Sequence, residues 1–323
     1  MVPGGVDVFT HFALPYLLLW ALRRPRMERI AAGIGGYAPD IDVLTAPLAY
    51  LVPQLYMFGH RGVSHTLWGA PLHALALVLL LRLPFWARWK PRLAALRFGP
   101  RLTLIAMGAS LTHLLLDAMT FWGIPLLWPF AGTRFAQDWF FYSVIWAAVP
   151  AAYLVWRVWR RRDSERAVRV LGALLVVLIV ASAGARAAWK PDAPEGTVHH
   201  PGNWEWTWTT LTPTEGGWEA RFWSFGREVG SASYPAGPPL VPGSAAALEA
   251  ARQSLPYKRH ILYAGGPVLE RVELRPDGAW NVTVLDLMDR AQADRRPGWL
   301  EREDSGRLIL RVDGEGRVRV VDR

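Results

Sequence analysis

Long runs of apolar residues dominate the first 190 positions of the chain. Seven such runs cover residues 8–22, 30–39, 43–58, 66–84, 102–121, 139–157 and 168–189. A transmembrane helix needs about 20 mostly apolar residues, and the runs at 30–39 and 43–58 are shorter and broken by Gly and Pro. Together these two predict one crossing and a re-entrant or interfacial piece. We therefore expect an all-α polytopic membrane bundle of about five or six transmembrane helices plus this re-entrant segment.

The pattern changes after residue 189. Residues 190–203 are rich in Pro and Gly and predict a linker. Beyond them, the sequence "NWEWTWTTL" alternates Trp with polar residues, which is typical of a half-buried strand. Further strands are predicted at 217–226, 280–288, 307–314 and 317–322, and a short helix with Ser244 as its N-cap at 243–255. The expected domains are a transmembrane domain (1–189), a linker (190–203) and a small soluble α+β domain (204–323).

The charge distribution favours a membrane protein. Residues 1–190 contain 20 Lys/Arg and 8 Asp/Glu, whereas residues 191–323 contain 16 and 19. The arginines of the first part cluster between apolar runs, at 23–29, 82–101 and 157–169, as cytoplasmic loops of membrane proteins do. Their placement argues against a nucleic-acid partner. If all three clusters are cytoplasmic, the protein is integral to the cell (inner) membrane and its C-terminal domain is extracytoplasmic.

Several ionisable residues lie within or beside these apolar runs, where such residues are rare and usually functional. His113 and Asp117 are four residues apart and share one face of a helix. There they can share a metal ion or form a hydrogen bond that ties two helices together. Asp40 and Asp42 follow Pro39, and an extended D-x-D sequence can turn both carboxylates towards one centre.

Three further histidines lie at the edges of apolar runs. His11 is just inside the first run, His60 precedes the run at 66–84, and His65 is expected on the first turn of that helix. Cysteine is absent, so any metal site must use imidazole and carboxylate ligands, which suit Zn²⁺, Mn²⁺ or Fe²⁺ in hydrolysis. One or two divalent ions are expected, with Zn²⁺ preferred. Arg61 either clamps an anionic substrate group or extends to lipid headgroups.

The sequences "TH", "PDID", "HRGVSH" and "THLLLDAMTFWGIPLLWPF" occur in an order that resembles the membrane-bound metal-dependent hydrolase family, known from LexA-regulated inner-membrane proteins. The resemblance covers roughly residues 8–160, and the tail is similar to an extracytoplasmic domain of longer members. After "RFAQDWFF", where many long members carry a further Asp, this chain has "YSVIW". The resemblance places His60 in the HRG signature. It implies metal ligands at His11, Asp40, Asp42, His65, His113 and Asp117.

The first hypothesis is an integral membrane hydrolase in which a metal-activated water attacks a phosphoester or acyl bond of a lipid-like substrate. His60 and Arg61 are its expected catalytic residues. The alternative is a non-catalytic membrane protein with a structural His/Asp metal site, whose tail binds envelope partners. A transporter is less favoured, because the candidate residues cluster on one side of the membrane, whereas a transport path should show polar residues at all depths. The bilayer is the expected partner, and the sequence identifies no protein partner.

Overall fold

The computed structural model describes residues 8–45, 49, 52–84, 98–120, 122–137, 139, 145–202, 204–264, 266–294 and 306–322. The chain divides into two compact units, Met1–Gly184 and Ala185–Arg323. The predicted linker, residues 190–203, contains a β-strand at Val198–Pro201.

The regular elements of the first unit, within its described part, are helices, and one isolated β-bridge joins Ile124 and Phe135. Its α-helices are α1 (Val8–Ala21), α2 (Arg26–Tyr37), α3 (Gly69–Leu81), α4 (Pro100–Ala118), α5 (Ile145–Trp159) and α6 (Glu165–Ala188). Between α2 and α3 the chain forms short 3₁₀ segments at Ala38–Leu44, Pro53–Phe58 and Val63–His65. Pro39 lies in the first of these segments, directly after α2, because a proline has no N–H to continue the helical hydrogen bonds.

Glycines on α2 allow close helix packing on both of its sides. A Cβ atom at Gly35 would lie 2.0 Å from the carbonyl oxygen of Ala106 on α4. A Cβ atom at Gly36 would lie 2.3 Å from the carbonyl oxygen of His11 on α1. Only glycine therefore fits where α2 passes between these helices, and this brings His11, the turn after α2 and the middle of α4 close together.

The expectation of five or six transmembrane helices is wrong. Within the described ranges, one helix, α6, is long and apolar enough to cross a membrane. The apolar helices α1 and α3 contain 14 and 13 residues, which span only about 20 Å at 1.5 Å per residue, against a hydrocarbon core of about 30 Å. The run at 66–84 was longer than its helix because residues 66–68 precede α3. Residues 140–144 of the run at 139–157 lie outside the described residues.

The second unit contains two four-stranded antiparallel sheets and, within the described part, three helices. This confirms the predicted α+β architecture of the C-terminal domain. In both sheets the strands are neighbours in chain order. The first sheet contains β1 (Val198–Pro201), β2 (Thr207–Thr214), β3 (Gly217–Ser224) and β4 (Arg227–Pro235), and the second contains β5 (Val268–Leu274), β6 (Trp280–Asp286), β7 (Arg307–Val312) and β8 (Val318–Asp322). The helices are α7 (Pro242–Gln253), α8 (Leu255–Tyr263) and α9 (Leu287–Asp294).

Five strands and one helix of this unit lie where the sequence predicts them. Strands β1, β4 and β5 and helices α8 and α9 were not predicted. Strand β4 carries little apolar alternation, and Tyr234 is its one buried side chain. Ser244 is not the N-cap of α7: it lies in the first turn, where its Oγ accepts a hydrogen bond from the N–H of Val241 at 2.8 Å.

Candidate metal centre

All eight predicted site residues are buried in the first unit. The structure places His11 on α1, Asp40 and Asp42 on the 3₁₀ segment after α2, His60 and Arg61 in the following loop, His65 on the segment Val63–His65, and His113 and Asp117 on α4. The expected helical placement of His65 is wrong, because α3 begins only at Gly69. The 3₁₀ turn nevertheless brings the His65 imidazole to the face of α4 that carries His113 and Asp117.

Five of these residues direct nitrogen or oxygen atoms at one another. His65 Nε2 lies 3.0 Å from His113 Nε2 and 3.2 Å from Asp117 Oδ2. Asp40 Oδ1 lies 3.6 Å from His65 Nε2 and 3.5 Å from His113 Nε2, which is also 3.5 Å from Asp117 Oδ2. His11 stacks on the His113 ring at a centroid distance of 3.8 Å, with its Nε2 3.5 Å from Asp117 Oδ1. We call His11, Asp40, His65, His113 and Asp117 the central cluster.

The tautomers of two histidines follow from their outer contacts. His113 Nδ1 lies 2.8 Å from the carbonyl oxygen of Gly36, which can only accept, so Nδ1 carries the proton. His65 Nδ1 donates to Ser64 Oγ at 2.9 Å, and Ser64 Oγ in turn donates to Asp42 Oδ2. In neutral rings both Nε2 atoms therefore hold lone pairs, and these lone pairs face each other across 3.0 Å.

The central cluster is rich in buried polar atoms that lack hydrogen-bond partners. Both nitrogens of His11, both oxygens of Asp40 and Oδ2 of Asp117 are buried without a hydrogen-bond partner in the described structure. Leaving such groups unpaired in a buried place costs considerable free energy. The three carboxylates around the site, with one arginine, leave two negative charges when the histidines are neutral. A divalent cation would balance this charge and use the lone pairs.

The spacing of these atoms fits a single ion. Ligand bonds of about 2.0–2.2 Å in a tetrahedral arrangement, the usual geometry of Zn²⁺, separate neighbouring ligand atoms by about 3.3–3.6 Å. Three of the five separations quoted above, at 3.5–3.6 Å, fall within this range, and the other two, at 3.0 and 3.2 Å, are slightly shorter. Two overlapping triads, His11–Asp40–His113 and His65–His113–Asp117, bring their ligand atoms within 4.8 Å of one another. The donor set therefore fits a divalent metal.

Asp42 does not point into the central cluster. Its Oδ1 accepts from His60 Nδ1 at 2.8 Å, and its Oδ2 accepts from Ser64 Oγ and from the N–H of Arg61. Burial alone would raise the pKa of Asp42, but hydrogen bonds from His60 and from His65, whose Nδ1 also lies 3.3 Å from Asp42 Oδ2, outweigh it and hold this pKa below its usual range. Asp42 thus stays charged and orients two imidazoles from outside.

The guanidinium of Arg61 is fully buried beside Asp117. One nitrogen donates to Asp117 Oδ1 at 2.9 Å and another to Thr120 Oγ1 at 2.9 Å. The backbone of Arg61 has a positive φ of 60°, and a Cβ atom at Gly62 would lie 2.0 Å from the carbonyl oxygen of Met57. The tight "HRG" turn therefore needs its glycine and aims Arg61 inward.

Comparison with known proteins bears on this region of the chain. The family model described as YdjM inner membrane protein matches residues 6–189. The chain belongs to this family. No curated protein and no solved structure matches it.

The part matched to the YdjM family contains α1 to α6 and all eight predicted site residues, and it ends before β1. Membership in the YdjM family, together with the apolar helix α6, supports location in the inner membrane. The two sheets lie in the part of the chain that the family model does not match.

Sequence reasoning missed three contributors to the site of this YdjM-family member. Ser64 bridges His65 and Asp42, Thr120 accepts from Arg61, and the carbonyl of Gly36 fixes His113. Ser64 is the serine of the "HRGVSH" sequence, whose resemblance to the hydrolase family was the available signal. Thr120 follows Asp117 by one helical turn. A backbone carbonyl leaves no mark on the sequence.

Proposed function

We propose that this YdjM-family protein is a metal-dependent hydrolase that holds one divalent cation in the central cluster. The observation that supports this most is the convergence of the Nε2 atoms of His65 and His113, which hold lone pairs in the neutral rings, on buried carboxylate oxygens that have no hydrogen-bond partner among the described residues. Nitrogen and oxygen ligands without thiolate suit Zn²⁺ first, and Mn²⁺ or Fe²⁺ next. Regulation by LexA, implied by the resemblance, stays a prediction.

A bound divalent cation polarises a substrate oxygen and lowers the pKa of water. The residues of the chain would supply orientation and proton transfer. Arg61 fixes Asp117 and keeps its Nε–H without a hydrogen-bond partner among the described residues, so it retains a donor for an anionic group. His60 has the largest exposed fraction of the eight residues, 8%, and lies beside Asp40 and His65. We assign to His60 the transfer of a proton during hydrolysis.

The proposed substrate is lipid-like and carries a phosphoester or acyl bond. Its support is the apolar surface of the helices that carry or adjoin the site. Leu111 and Leu115 on α4 and Leu72 on α3 are exposed, as are further apolar side chains of the first unit. An amphiphilic molecule could cover this surface with its chains while its polar bond reaches the metal.

The test combines metal analysis with a hydrolysis assay on detergent-purified protein. The wild type should retain about one metal ion per chain, whereas His65→Ala and Asp117→Asn should lose most of it. The control His73→Ala changes a histidine of α3 outside the central cluster and should keep the metal. Turnover of a fluorogenic phosphodiester lipid and a fluorogenic ester lipid should follow metal content. Unchanged metal in both site variants would refute the metal centre.

The complete burial of His11, Arg61, His65, His113 and Asp117 favours a second candidate, a structural metal site in a non-catalytic membrane protein. A catalytic metal keeps one coordination position open, whereas structural sites are closed. In this non-catalytic candidate, the C-terminal tail of the protein would bind envelope partners. This candidate is supported if the metal-loaded protein hydrolyses neither lipid and chelation of the metal lowers its unfolding temperature.

We further propose that the second unit is extracytoplasmic. The arginines at 157–169 lie at the N-terminal end of α6, the side that the positive-inside rule assigns to the cytoplasm. A single crossing by α6 would deliver the strands to the opposite side.

A further inference from the structure

An open pocket of about 520 Å³ lies where α2 begins, α5 ends and α6 begins. Its volume falls within the range of about 300–1,000 Å³ that is usual for small-ligand sites. Arginine dominates its lining. The lining residues are Arg26, Arg29, Arg157, Arg161, Arg162, Asp163 and Ser164. We call it the arginine pocket.

The one carboxylate in this lining is already paired. Asp163 accepts three hydrogen bonds from Arg26, which reach both of its oxygens, and a fourth from the hydroxyl of Tyr16 at 2.8 Å. Asp163 therefore cancels the charge of Arg26 and of no other arginine. Within the described ranges, the other four arginines form no ion pair with a carboxylate, so about four positive charges face one cavity.

Two of these arginines are held in place by neutral acceptors. Arg157 donates from Nε to the carbonyl oxygen of Arg162 at 2.8 Å, and Arg29 donates from Nε to the carbonyl oxygen of Arg24 at 2.6 Å. These bonds orient the guanidinium groups without neutralising them. Arg161 and Arg162 are exposed at the rim. Positively charged groups held close together repel one another unless an anion lies between them.

The position of the pocket indicates where that anion comes from. The candidate membrane span α6 begins at Glu165, directly after the lining residue Ser164. The exposed aromatic residues Tyr153, Trp156 and Trp159 lie on the adjoining end of α5, and such side chains favour the membrane–water interface. Basic pockets at this level recognise anionic lipid headgroups, and the N-terminal end of a long helix adds a favourable dipole.

We propose that the arginine pocket binds the phosphate group of an anionic lipid headgroup. The pocket is separate from the central cluster, because the part of α1 from His11 to Ala21 covers about 15 Å and Arg26 begins the next helix. The site does not depend on the proposed hydrolase activity. Guanidinium groups bind phosphate oxygens through paired N–H donors, which lysine cannot match.

The test counts lipids that remain bound to the detergent-purified full chain by native mass spectrometry. Phosphatidylglycerol supplies the anionic headgroup and phosphatidylcholine the zwitterionic control. The double variant Arg161→Gln/Arg162→Gln should bind phosphatidylglycerol about 10- to 30-fold more weakly, since each arginine near an anionic lipid contributes about fivefold. The matched control Arg166→Gln/Arg169→Gln removes the same charge from α6 outside the pocket and should stay within about twofold of wild type.

A second arm distinguishes a lipid from free phosphate. Inorganic phosphate at millimolar concentration should leave bound phosphatidylglycerol largely in place if the acyl chains contribute to binding. If inorganic phosphate displaces phosphatidylglycerol, and Arg161→Gln/Arg162→Gln weakens the binding of phosphate as much as that of the lipid, the pocket recognises the phosphate group itself. Equal losses in both double variants, or equal binding of phosphatidylcholine and phosphatidylglycerol by wild type, would overturn the proposal.

Discussion

At the scale of single residues, the two aspartates of the D-x-D sequence have different surroundings. Asp40 faces the Nε2 atoms of His65 and His113, whereas Asp42 faces the Nδ1 side of His60 and His65. The sequence predicted both as ligands, and spacing alone cannot separate an inner carboxylate from an outer one. The distinction depends on the direction of each side chain from the 3₁₀ turn, which only the folded chain defines.

Ser64 offers a sharp test of the outer contacts. Ser64→Ala removes the hydroxyl that joins His65 Nδ1 to Asp42 and leaves only their longer direct contact of 3.3 Å, so we expect metal affinity to fall about 10- to 100-fold. Ser64→Thr retains the hydroxyl and should stay close to wild type. Competition for Zn²⁺ against a chelator of known affinity measures both variants. If Ser64→Ala bound Zn²⁺ as tightly as wild type does, the hydrogen bonds from His65 through Ser64 to Asp42 would have no role in holding His65.

At the scale of helices, the position of the central cluster depends on how closely α2 approaches its neighbours. In Gly36→Ala, the new Cβ would lie 2.3 Å from the backbone of His11 and 2.6 Å from Pro15. Because α1 must then shift, His11 leaves the cluster, and the carbonyl that holds His113 moves too. We expect loss of most bound metal and a lower unfolding temperature, with overpacking of this kind costing about 1–3 kcal/mol.

Gly108→Ala is the matched control for Gly36→Ala. Gly108 lies inside α4, and among the described residues no heavy atom beyond the adjoining backbone of α4 lies within 4 Å of the position that an alanine Cβ would take there. Alanine should therefore raise stability by about 0.5–1 kcal/mol through its higher helix propensity and leave metal content unchanged. Thermal unfolding in detergent and metal analysis check both variants. If Gly36→Ala behaves like Gly108→Ala, close helix packing does not position the site.

The sequence predicted the clustering of the site residues more accurately than the lengths of the helices that carry them. The motifs predicted that His11, Asp40, His65, His113 and Asp117 lie together, because ionisable groups within apolar runs have few polar partners other than one another. Helix lengths were overestimated because an apolar run continues through turns, as it does at residues 66–68 before α3. Strand β4 was missed because its sequence, "REVGSASYP", has only a weak apolar pattern and depends on pairing with β3.

At the scale of the whole molecule, the proposed orientation can be measured because the chain contains no cysteine. Ser231→Cys places a single exposed thiol on β4, and Arg160→Cys places one just after α5. If the second unit is extracytoplasmic, a membrane-impermeant maleimide should label Ser231→Cys in spheroplasts, and Arg160→Cys only after permeabilisation. The reverse labelling pattern would place the second unit in the cytoplasm.

The second unit should also lose stability in mild acid. His200, on β1, is buried, and this burial, with a smaller effect of the neighbouring His199, lowers its pKa to about 4. In the unfolded chain the pKa is about 6.5. Above pH 7 His200 is neutral in both states, so it has no effect on the unfolding equilibrium there. Below pH 6.5 the unfolded chain takes up the proton first, and the free energy of unfolding falls until about pH 4, by about 3 kcal/mol in total.

Hydrogen exchange of the β2 amides in the full chain, corrected for intrinsic rates, measures this loss between pH 7.5 and 4.5. His200→Gln removes the titrating group and should flatten the decrease, although His260, whose pKa burial also lowers to about 4, should leave a residual slope. His73→Gln, outside this unit, should leave the profile unchanged. Because β1 pairs with β2 at His200 and Thr209, protonation should open this edge of the first sheet before β3 and β4 exchange. A uniform loss of protection that is insensitive to His200→Gln would instead assign the acid sensitivity to other groups.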